Sequence, residues 1–463
     1  MATIETLQLP PAARPGLLWR SVAQAVRERL TQWQVSAADA VLLLPSADLL
    51  LPARRALAEG GGWLPRVHTT RTLAAALGPP LQTAPGEVTG DGAIDRATAR
   101  DLLRSHRWAA AWLQRDARAF DAALHRLVRT AHTLRAAANA QPPQRRAEWW
   151  QRVRQQVPGG AGVGATNRLL LRAAIEWCAL SEQADSDRLF THRPSAWIAL
   201  ILGGEDDLVL NLLREGAAQG VPVLQLSADP ATVDPFDDWP EDCAFEFEVA
   251  VDAEDEALAT AWQVARHVRS GATPVALVAQ DRALVRRVRA LLERQQIDAI
   301  DETGWSLATT RAGAHASAAL RAARTGRQDD LLDWLKADLD ASALDELSTL
   351  EKLWRGRRVR DEGARARADA LWQRERARLD AFSRPRARHL AQWLRAFDAL
   401  LFGAAHSAAW REDAAAMQLR RALRLREQDQ AGVGAPAAQA AVWHLDEFAA
   451  WIDATLEDAA FVP

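Results

Sequence analysis

The clearest hydrophobic pattern in the chain lies between Thr273 and Arg311. Val275 to Ala279 is a continuous apolar run with the length of a strand buried on both faces, and Ile297 to Ile300 reads as a second strand. Between them, apolar residues recur at helical spacing after Asp281, whose short carboxylate suits a helix N-cap. The pattern predicts a strand–helix–strand unit of a parallel sheet.

Short apolar runs also alternate with amphipathic stretches in the first half of the chain. The runs predict strands, and the stretches between them predict helices. The predicted strands are 6–9, 41–44, 65–69, 197–202 and 221–226, and the predicted helices are 17–30, 70–77, 167–180 and 208–218. Residues 95–157 show helical periodicity throughout, between a linker at 81–94 and a glycine-rich break at 158–164.

Residues 227–243 contain three prolines and predict a domain boundary. A second sheet is expected to begin at 245–251, with a helix at 255–268, and the chain reads as helical after Thr310. We therefore predict an α/β protein with two parallel-sheet domains and large helical insertions. The expected parts are a first domain (1–80 and 165–235), a helical insertion (81–164), a second domain (236–325) and a helical, arginine-rich extension (326–463). The chain stops directly after an amphipathic stretch, which favours a fragment of a longer protein.

Composition limits the class of protein without naming it. A chain of 463 residues is too long for one core, and its 49 % hydrophobic and 25 % charged residues are ordinary for a globular protein. No apolar run reaches the roughly 20 residues that span a bilayer, and the first residues lack a signal-peptide pattern. The cysteines, Cys178 and Cys243, form no disulfide framework. We expect a cytoplasmic protein with no membrane partner.

The basic residues are distributed unevenly along the chain. Residues 229–256 contain twelve acidic residues and no Lys or Arg, whereas 354–388 contain twelve arginines and five acidic residues. The net charge of −3 therefore does not exclude a strongly basic surface. The only lysines are Lys336 and Lys352, so no earlier lysine can bind phosphate or form a Schiff base.

Residues 159–166 have the glycine spacing of a phosphate-binding P-loop, with Ala165 in the place of the lysine. The preceding residues read as a polar helix instead of the strand that such a loop requires, so a glycine-rich linker is favoured. Residues 203–207 (GGEDD) follow a predicted strand, where acidic residues can bind a metal, but they also fit a helix N-terminus.

Histidine and cysteine chemistry is weakly indicated. His125 and His132 share a helix face, but no acidic residue accompanies them at metal-ligand spacing, which favours packing or solvation. Neither cysteine has a nucleophile signature, and no GxSxG or HExxH motif is present. We predict no catalytic residue, no metal site and no cofactor in this chain.

The arginine-rich segment is the strongest candidate for binding. Arginines interleaved with Trp372, Phe382 and Trp393 are what phosphate contact combined with base stacking requires. A solvated helix face paired with nearby acids explains the same composition, and both interpretations stay open. The arginines singled out for nucleic acid are Arg282, Arg286, Arg287, Arg355, Arg357, Arg358, Arg360, Arg386 and Arg388.

Three stretches together resemble the AddB-type subunit of bacterial helicase–nuclease complexes, of the PD-(D/E)XK nuclease family. Residues 39–58 (DAVLLLPSADLLLPARRALA), followed by LPRV at 64–67, are similar to the family's first strand, proline and helix. Residues 197–224 are similar to the strand–Gly–helix–Gly–strand that closes its first helicase-like domain, and residues 252–311 to the entry of its second. The resemblance covers most of the chain through a succession of weak motifs.

The resemblance implies a helicase fold without an ATPase site. In relatives of the UvrD type the first strand leads into the ATP-binding loop, and residues 9–18 here (LPPAARPGLL) have neither its lysine nor its glycine-rich turn. It also implies a nuclease domain, with its Mg²⁺, C-terminal to these residues, a UvrD/AddA-type helicase partner, and DNA-facing groups at Thr309, Thr310 and Arg311. We expect a DNA-binding part of a double-strand-break repair or recombination nuclease. An active P-loop enzyme using residues 159–166 and a protein-binding helical scaffold are the alternatives.

Overall fold

The computed structural model describes residues 3–10, 15–81, 83–157, 164–204, 206–228, 246–301, 304–339, 343–403, 408–426 and 442–461. The chain forms two compact units. Unit 1 comprises Met1–Asp238 and Ser306–Ala459, and unit 2 comprises Trp239–Trp305 and Ala460–Pro463. None of the helices in the described part of the chain is both long enough and apolar enough to cross a membrane.

The first half of unit 1 alternates strands and helices around a large helical insertion. Its strands are β1 (Ile4–Gln8), β2 (Val41–Leu43), β3 (Arg66–His68), β4 (Trp197–Ile201) and β5 (Val223–Ser227). Its helices are α1 (Pro15–Gln32), α2 (Leu50–Ala58), α3 (Thr70–Leu77), α4 (Gly92–Ser105), α5 (Arg107–Arg115), α6 (Ala117–Asn139), α7 (Pro143–Gln156), α8 (Ala165–Cys178), α9 (Asp187–Thr191) and α10 (Asp207–Ala218).

The remaining elements are mostly helical. The helices are α11 (Ala253–Arg269), α12 (Arg282–Glu293), α13 (Arg311–Thr325), α14 (Gln328–Lys336), α15 (Leu344–Trp354), α16 (Glu362–Ser383), α17 (Leu390–Phe402), α18 (Ala408–Glu412), α19 (Ala414–Ala422) and α20 (Leu445–Asp458). The short strands are β6 (Trp305–Ser306), β7 (Ala387–His389), β8 (Val442–His444) and β9 (Ala460–Phe461).

The core of unit 1 is a five-stranded, fully parallel sheet in the order β1-β5-β4-β2-β3. Side chains of a strand alternate between the two faces of its sheet. Leu42 and Ile198 accordingly pack beneath α1 and α2, whereas Leu43 and Trp197 pack beneath α3, α9 and α10. A strand covered on both faces must be apolar at every position. This is why β2 and β4 appear in the sequence as continuous apolar runs. The mixed α/β class and the predicted strands of this sheet are confirmed.

The helical insertion between β3 and β4 forms its own core. Phe120, Leu127 and Trp150 are buried there against residues of α8. The preceding stretch, predicted as a linker, is packed in its second half: Val88 is fully buried, and Trp177 Nε1 donates a 2.7 Å hydrogen bond to the carbonyl of Gly86. Helical periodicity predicted the insertion, but it did not show that the linker takes part in its core.

The second half of unit 1 is helical with one exception. β7 and β8 pair as antiparallel strands, although the sequence pattern predicts only helices after Thr310. Each strand ends at a histidine that caps the next helix, His389 before α17 and His444 before α20. Strands of three residues are too short to show a periodicity of two, so the pattern could not reveal them.

The predicted second parallel sheet is not formed by the described residues of unit 2. The runs 246–250, 275–279 and 297–300 belong to no strand and no helix. The helices predicted between them are present, and α11 packs on α12 through Ala257, Ala261 and Leu292. Val278 is 93 % exposed and Ile300 is 90 % exposed. A parallel sheet requires cover on both faces, and in the described residues these runs lack it on one. The three strands predicted in this region, 245–251, 275–279 and 297–300, are therefore corrected, because the described residues of these runs form no strand.

The two kinds of apolar run are expected to differ in hydrogen exchange. Amides of 275–279, which belong to no ladder, should exchange at close to unfolded rates, whereas those of 197–201 should be slowed by at least about a thousandfold. Amide exchange followed by mass spectrometry on peptides covering both runs provides the measurement. Equal protection of the two runs would mean that 275–279 is paired in solution.

Candidate nucleic-acid interface

The loop between α15 and α16, residues 355–361, presents the densest group of arginines. α15 ends in a turn that closes with the amide of Arg357 donating 2.8 Å to the carbonyl of Lys352. Gly356 has a φ of +71°, the left-handed conformation that such a helix end requires. Asp361 then caps α16 by accepting from the amide of Ala364 at 3.0 Å. The loop is thus fixed at both ends, and its arginines are exposed side chains on a defined backbone.

The charges in this loop are only partly neutralised. Glu351 accepts from Lys336 at 2.7 Å and from Arg355 at 2.6 Å. The Lys336 hydrogen bond, followed by the charges of Lys336, Arg355 and Arg357, lowers the pKa of Glu351. Arg357, Arg358 and Arg360 are exposed, and no ion pair of theirs exists within the described ranges. We call these three residues the basic loop. They are the part of the site best placed for phosphate.

The arginines of α16 are mostly paired with acids. Arg367 lies 3.5 Å from Glu346, Arg374 lies 2.9 Å from Glu375, and Arg376 lies 3.8 Å from Asp380. The Arg367 and Arg376 pairs are exposed, so they contribute little to stability and can open to accept another anion. Glu375 is buried, so its pair with Arg374 is costly to open. The arginines of α16 therefore fit a solvated helix face whose charges are paired with nearby acids. The basic loop fits that interpretation less well, because its arginines form no such pairs in the described residues.

The other end of α16 carries a second, smaller basic group. Arg386 is exposed, and Arg384 is exposed with its Nε 3.8 Å from Asp380. Arg388 instead donates to the carbonyls of Ala381 and Arg384 and lies 4.9 Å from the Trp393 ring. Its burial lowers its pKa. Arg388 thus supports the turn, while Arg384 and Arg386 face solvent.

The distance between the two basic groups follows from the helix that separates them. α16 has 22 residues and is therefore about 33 Å long. One turn of B-form DNA is about 34 Å along its axis, so groups at the two ends of α16 match phosphates one turn apart. The sequence alone shows only that 25 or so residues separate the groups, and a loop of that length would fix no distance.

The predicted aromatic interleaving is wrong at two of its three positions. Phe382 and Trp393 are fully buried, and Trp393 Nε1 donates 2.9 Å to the carbonyl of Trp443. Trp372 is half-buried, edge-on to Trp354 at 4.9 Å. These rings occur at helical spacing because they build the core beneath α16, and buried rings cannot stack on bases.

The arginines of α12, in unit 2, that were predicted to bind nucleic acid differ in their contacts and exposure. Arg282 bonds Asp301 at 2.8 Å and the carbonyl of Gly304, and Arg287 pairs with Glu254. Arg286 is exposed, with no ion pair among the residues that the structure describes. Arg282 ties α12 to the segment that follows it, a structural role that its place on the helix did not show.

The three residues carried over from the family resemblance all have local roles in unit 1. Thr309 Oγ1 donates 2.8 Å to the carbonyl of Ser306. Thr310 caps α13, because its Oγ1 accepts from the amide of Gly313 at 3.0 Å. Arg311 donates to the carbonyl of Asp338. Thr309 and Arg311 are exposed, so these contacts leave part of each side chain open to solvent.

The glycine-rich segment is preceded by a helix, as its polar flank predicts. α7 leads towards it, α8 begins at Ala165, and residues 158–163 lie outside the described ranges. A P-loop needs a strand at this position. At the second motif, Asp206 caps α10, accepting from the amides of Leu208 and Val209 at 2.9 and 3.3 Å, which confirms the helix-terminus interpretation. No cluster of three or more metal-ligating side chains occurs in the part of the chain that is described.

His132 has the packing role that the sequence favoured, with an acidic partner that lies 37 residues away along the chain. Its Nε2 lies 2.8 Å from Asp95 of α4, a fully buried carboxylate that also accepts from the amides of Thr89 and Gly90. The pair holds the 81–91 segment onto the insertion, which is a packing role. Cys178 is buried, and desolvation raises the pKa of its thiol to about 12, so it is a poor nucleophile.

The sequence reasoning considered residues 203–207 after a strand, but it did not connect them with Ser46, which follows β2. The connection after β4 leads to β5 on one side, and the connection after β2 leads to β3 on the other. Ligands of open parallel sheets bind at such a switch point, beyond the carboxyl ends of the strands. Ser46 follows β2, and Gly203 and Gly204 follow β4 with φ of +61° and +78° and open space beside them. The position directly after a strand is the signal, and it was used in the sequence analysis only for residues 203–207.

Comparison with known proteins does not assign the chain to a family. No family model matches the chain, and no curated protein matches it. The function must therefore be inferred from the chain's own residues.

Proposed function

We propose that this chain is a DNA-binding, helicase-derived part of a double-strand-break repair or recombination nuclease. The observation that carries the proposal is the basic loop: Arg357, Arg358 and Arg360 are exposed, lie close together along the chain and form no ion pair among the described residues. Arginine binds phosphate through a planar group with several donors, and a backbone of regularly spaced phosphates is the ligand that such a group fits.

The second basic group supports DNA over a smaller anion. A single phosphate or nucleotide would occupy the basic loop and leave Arg384 and Arg386 unused, because α16 separates them by about 33 Å. A duplex laid along α16 reaches both groups. The exposed paired arginines of α16, Arg367 and Arg376, can then exchange a carboxylate partner for a phosphate along the way.

The parallel sheet of unit 1 supports a helicase-like ancestry without ATP hydrolysis. A phosphate-gripping lysine is missing, since no lysine precedes Lys336, and α7 stands where a strand should lead into a P-loop. In this proposal unit 1 contains a first helicase-like domain, and α11 and α12 belong to a second. A UvrD/AddA-type helicase would move the DNA, and Mg²⁺ would be required only by a nuclease domain.

The salt dependence of DNA binding tests this proposal. We expect the logarithm of the association constant for a labelled 20-base-pair duplex to fall linearly with the logarithm of salt concentration, with a slope of roughly −3 to −5 for three to five phosphate contacts. Fluorescence anisotropy between about 50 and 200 mM salt gives the slope. A flat response, or no binding at low salt, would favour the protein-binding scaffold.

An ATPase assay on the same preparation distinguishes the proposal from the other alternative, an active P-loop enzyme that uses residues 159–166. We expect no phosphate release above background, with or without DNA. Turnover that a Thr166→Ala variant removes would show a working P-loop and overturn the proposal.

A further inference from the structure

The outer edge of the unit 1 sheet carries another group of arginines, distant in sequence from the basic loop. β3 is an edge strand, and the amide of Arg66 and the carbonyl of His68 bond to the β2 side. The carbonyl of Val67, between them, therefore faces away from the sheet. Arg54 of α2 donates 3.0 Å to that carbonyl. The open edge of β3 is thus covered by a positively charged side chain.

Two more arginines lie at the same edge. Arg66 Nη2 donates 3.2 Å to Nε2 of His192, which follows α9. Arg193 Nη1 donates 2.8 Å to the carbonyl of Phe190. Arg54, Arg66 and Arg193 are exposed, and none of them forms an ion pair among the described residues. We call these three residues the arginine edge.

The arginine edge differs from the arginines of α16 in what holds its side chains. Each guanidinium bonds a neutral acceptor, either a backbone carbonyl or an imidazole nitrogen. Such an acceptor fixes the position of the group without cancelling its charge. Because arginine can only donate, His192 Nε2 accepts, and this ring is therefore neutral. Fixed cations with donors to spare are what an oxyanion requires.

Two histidines report the positive charge at this edge. Burial, followed by the charges of Arg54 and Arg66, lowers the pKa of His68. Burial, followed by the charges of Arg66 and Arg193, lowers the pKa of His192. A carboxylate beside either ring would raise its pKa, and none contributes among the described residues. The arginines therefore lie close enough to act on neighbouring rings, in a region where positive charge dominates.

An exposed tryptophan precedes the strand that carries Arg66. Trp63 is 83 % exposed. It follows Gly61 and Gly62, whose φ values of +69° and +84° turn the chain from α2 towards β3. Three residues of extended chain span at most about 10 Å, so the ring is within reach of a ligand held by Arg66. An inorganic anion makes no use of such a ring, whereas a nucleobase stacks on it.

We propose that the arginine edge binds the phosphate group of a nucleotide and that Trp63 stacks on the base. Arg66 and Arg193 donate to phosphate oxygens, while His192 stays neutral and keeps Arg66 in place. A free nucleotide and a nucleotide within a single strand offer the same chemistry, so the experiment includes both. The site uses none of the residues of the basic loop and does not depend on DNA binding there.

Protection of arginines from phenylglyoxal tests the site residue by residue on the full chain, with mass spectrometry of its peptides as the readout. The probes are dTMP, inorganic phosphate and an oligothymidylate of about 12 nucleotides, at equal phosphate concentration. With about 10 mM dTMP we expect modification of Arg66 and Arg193 to slow at least about fivefold, as a dissociation constant near 2 mM predicts. Inorganic phosphate should protect them less. Arg20 and Arg118, exposed on other helices, should remain unprotected.

Variants separate the base contact from the phosphate contact. Trp63→Ala should reduce the protection by dTMP to the level given by inorganic phosphate, and Trp63→Phe should restore most of it. Arg66→Gln should remove the protection of Arg193. Trp262→Ala, at an exposed tryptophan of unit 2, should leave the protection unchanged. Circular dichroism checks that each variant is folded.

The same footprint shows which results contradict the site. Absence of protection at Arg66 with every probe, or equal protection of Arg20 and Arg118, would overturn the proposal. Equal protection by phosphate and dTMP that survives Trp63→Ala would leave an anion site without a base contact and would also overturn it. Stronger protection by the oligothymidylate than by dTMP assigns the phosphate to a strand, and equal protection assigns it to a free nucleotide; both support the site. Peptides of the basic loop are read in the same spectra, so a failure of DNA binding there is seen separately.

Discussion

Replacing Arg357, Arg358 and Arg360 together by glutamine is expected to weaken duplex DNA binding roughly 100-fold at about 0.1 M salt. Each phosphate that an arginine neutralises releases a counterion, and the three side chains face solvent with no acid to take their place among the described residues. The slope of the salt titration should become less negative by about 2 to 3 for the same reason. Anisotropy with the labelled duplex measures both quantities.

A control variant removes the same charge from another surface of unit 1. Arg20, Arg27 and Arg55 are exposed residues of α1 and α2, and their joint replacement by glutamine lowers the net charge by the same amount. This variant should bind DNA within about threefold of the unchanged chain. If both triple variants lose affinity equally, net charge and not the basic loop drives binding, and the interface is misplaced.

The second large effect is expected at the junction of α4 and α20, both in unit 1. Arg100 is buried, bonds Glu447 at 2.6 Å and lies 3.9 Å from the centre of the Trp443 ring. Arg100→Ala should lower the free energy of unfolding by about 3–5 kcal/mol, because it leaves a largely buried carboxylate without its main partner. The midpoint of thermal unfolding, followed by circular dichroism, should fall by roughly 3–6 °C.

Arg104 provides a matched control on the same helix and the same carboxylate. It lies one turn further along α4, 3.3 Å from Glu447, and its side chain is 38 % exposed. Arg104→Ala should cost at most about 1 kcal/mol, because an exposed ion pair gains little over solvation. Equal effects of the two substitutions would mean that the junction is open to solvent, contrary to the burial of Arg100.

Arg357 and Arg388 show how far the sequence could predict the candidate site. It located the arginine-rich segment, but arginine density alone does not separate the exposed Arg357 from Arg388, whose donors are taken by carbonyls. The same holds on α12, where Arg286 is exposed and Arg287 pairs with Glu254. An arginine is available to a ligand only if no acceptor from another element reaches it. That condition is not written in local composition.

By itself the sequence determined the local elements. β2 and β4 were visible as apolar runs because a strand covered on both faces admits no polar residue, and α10 was visible from its period and from Asp206 at its cap. Tertiary structure alone decided which elements meet. It left Val278 exposed where a sheet was predicted, brought Asp95 to His132 across 37 residues, and buried Phe382 in a core instead of a binding face. Hydrophobic periodicity indicates which face of a segment must be buried. The elements that cover that face come from distant parts of the chain, so the local pattern does not identify them.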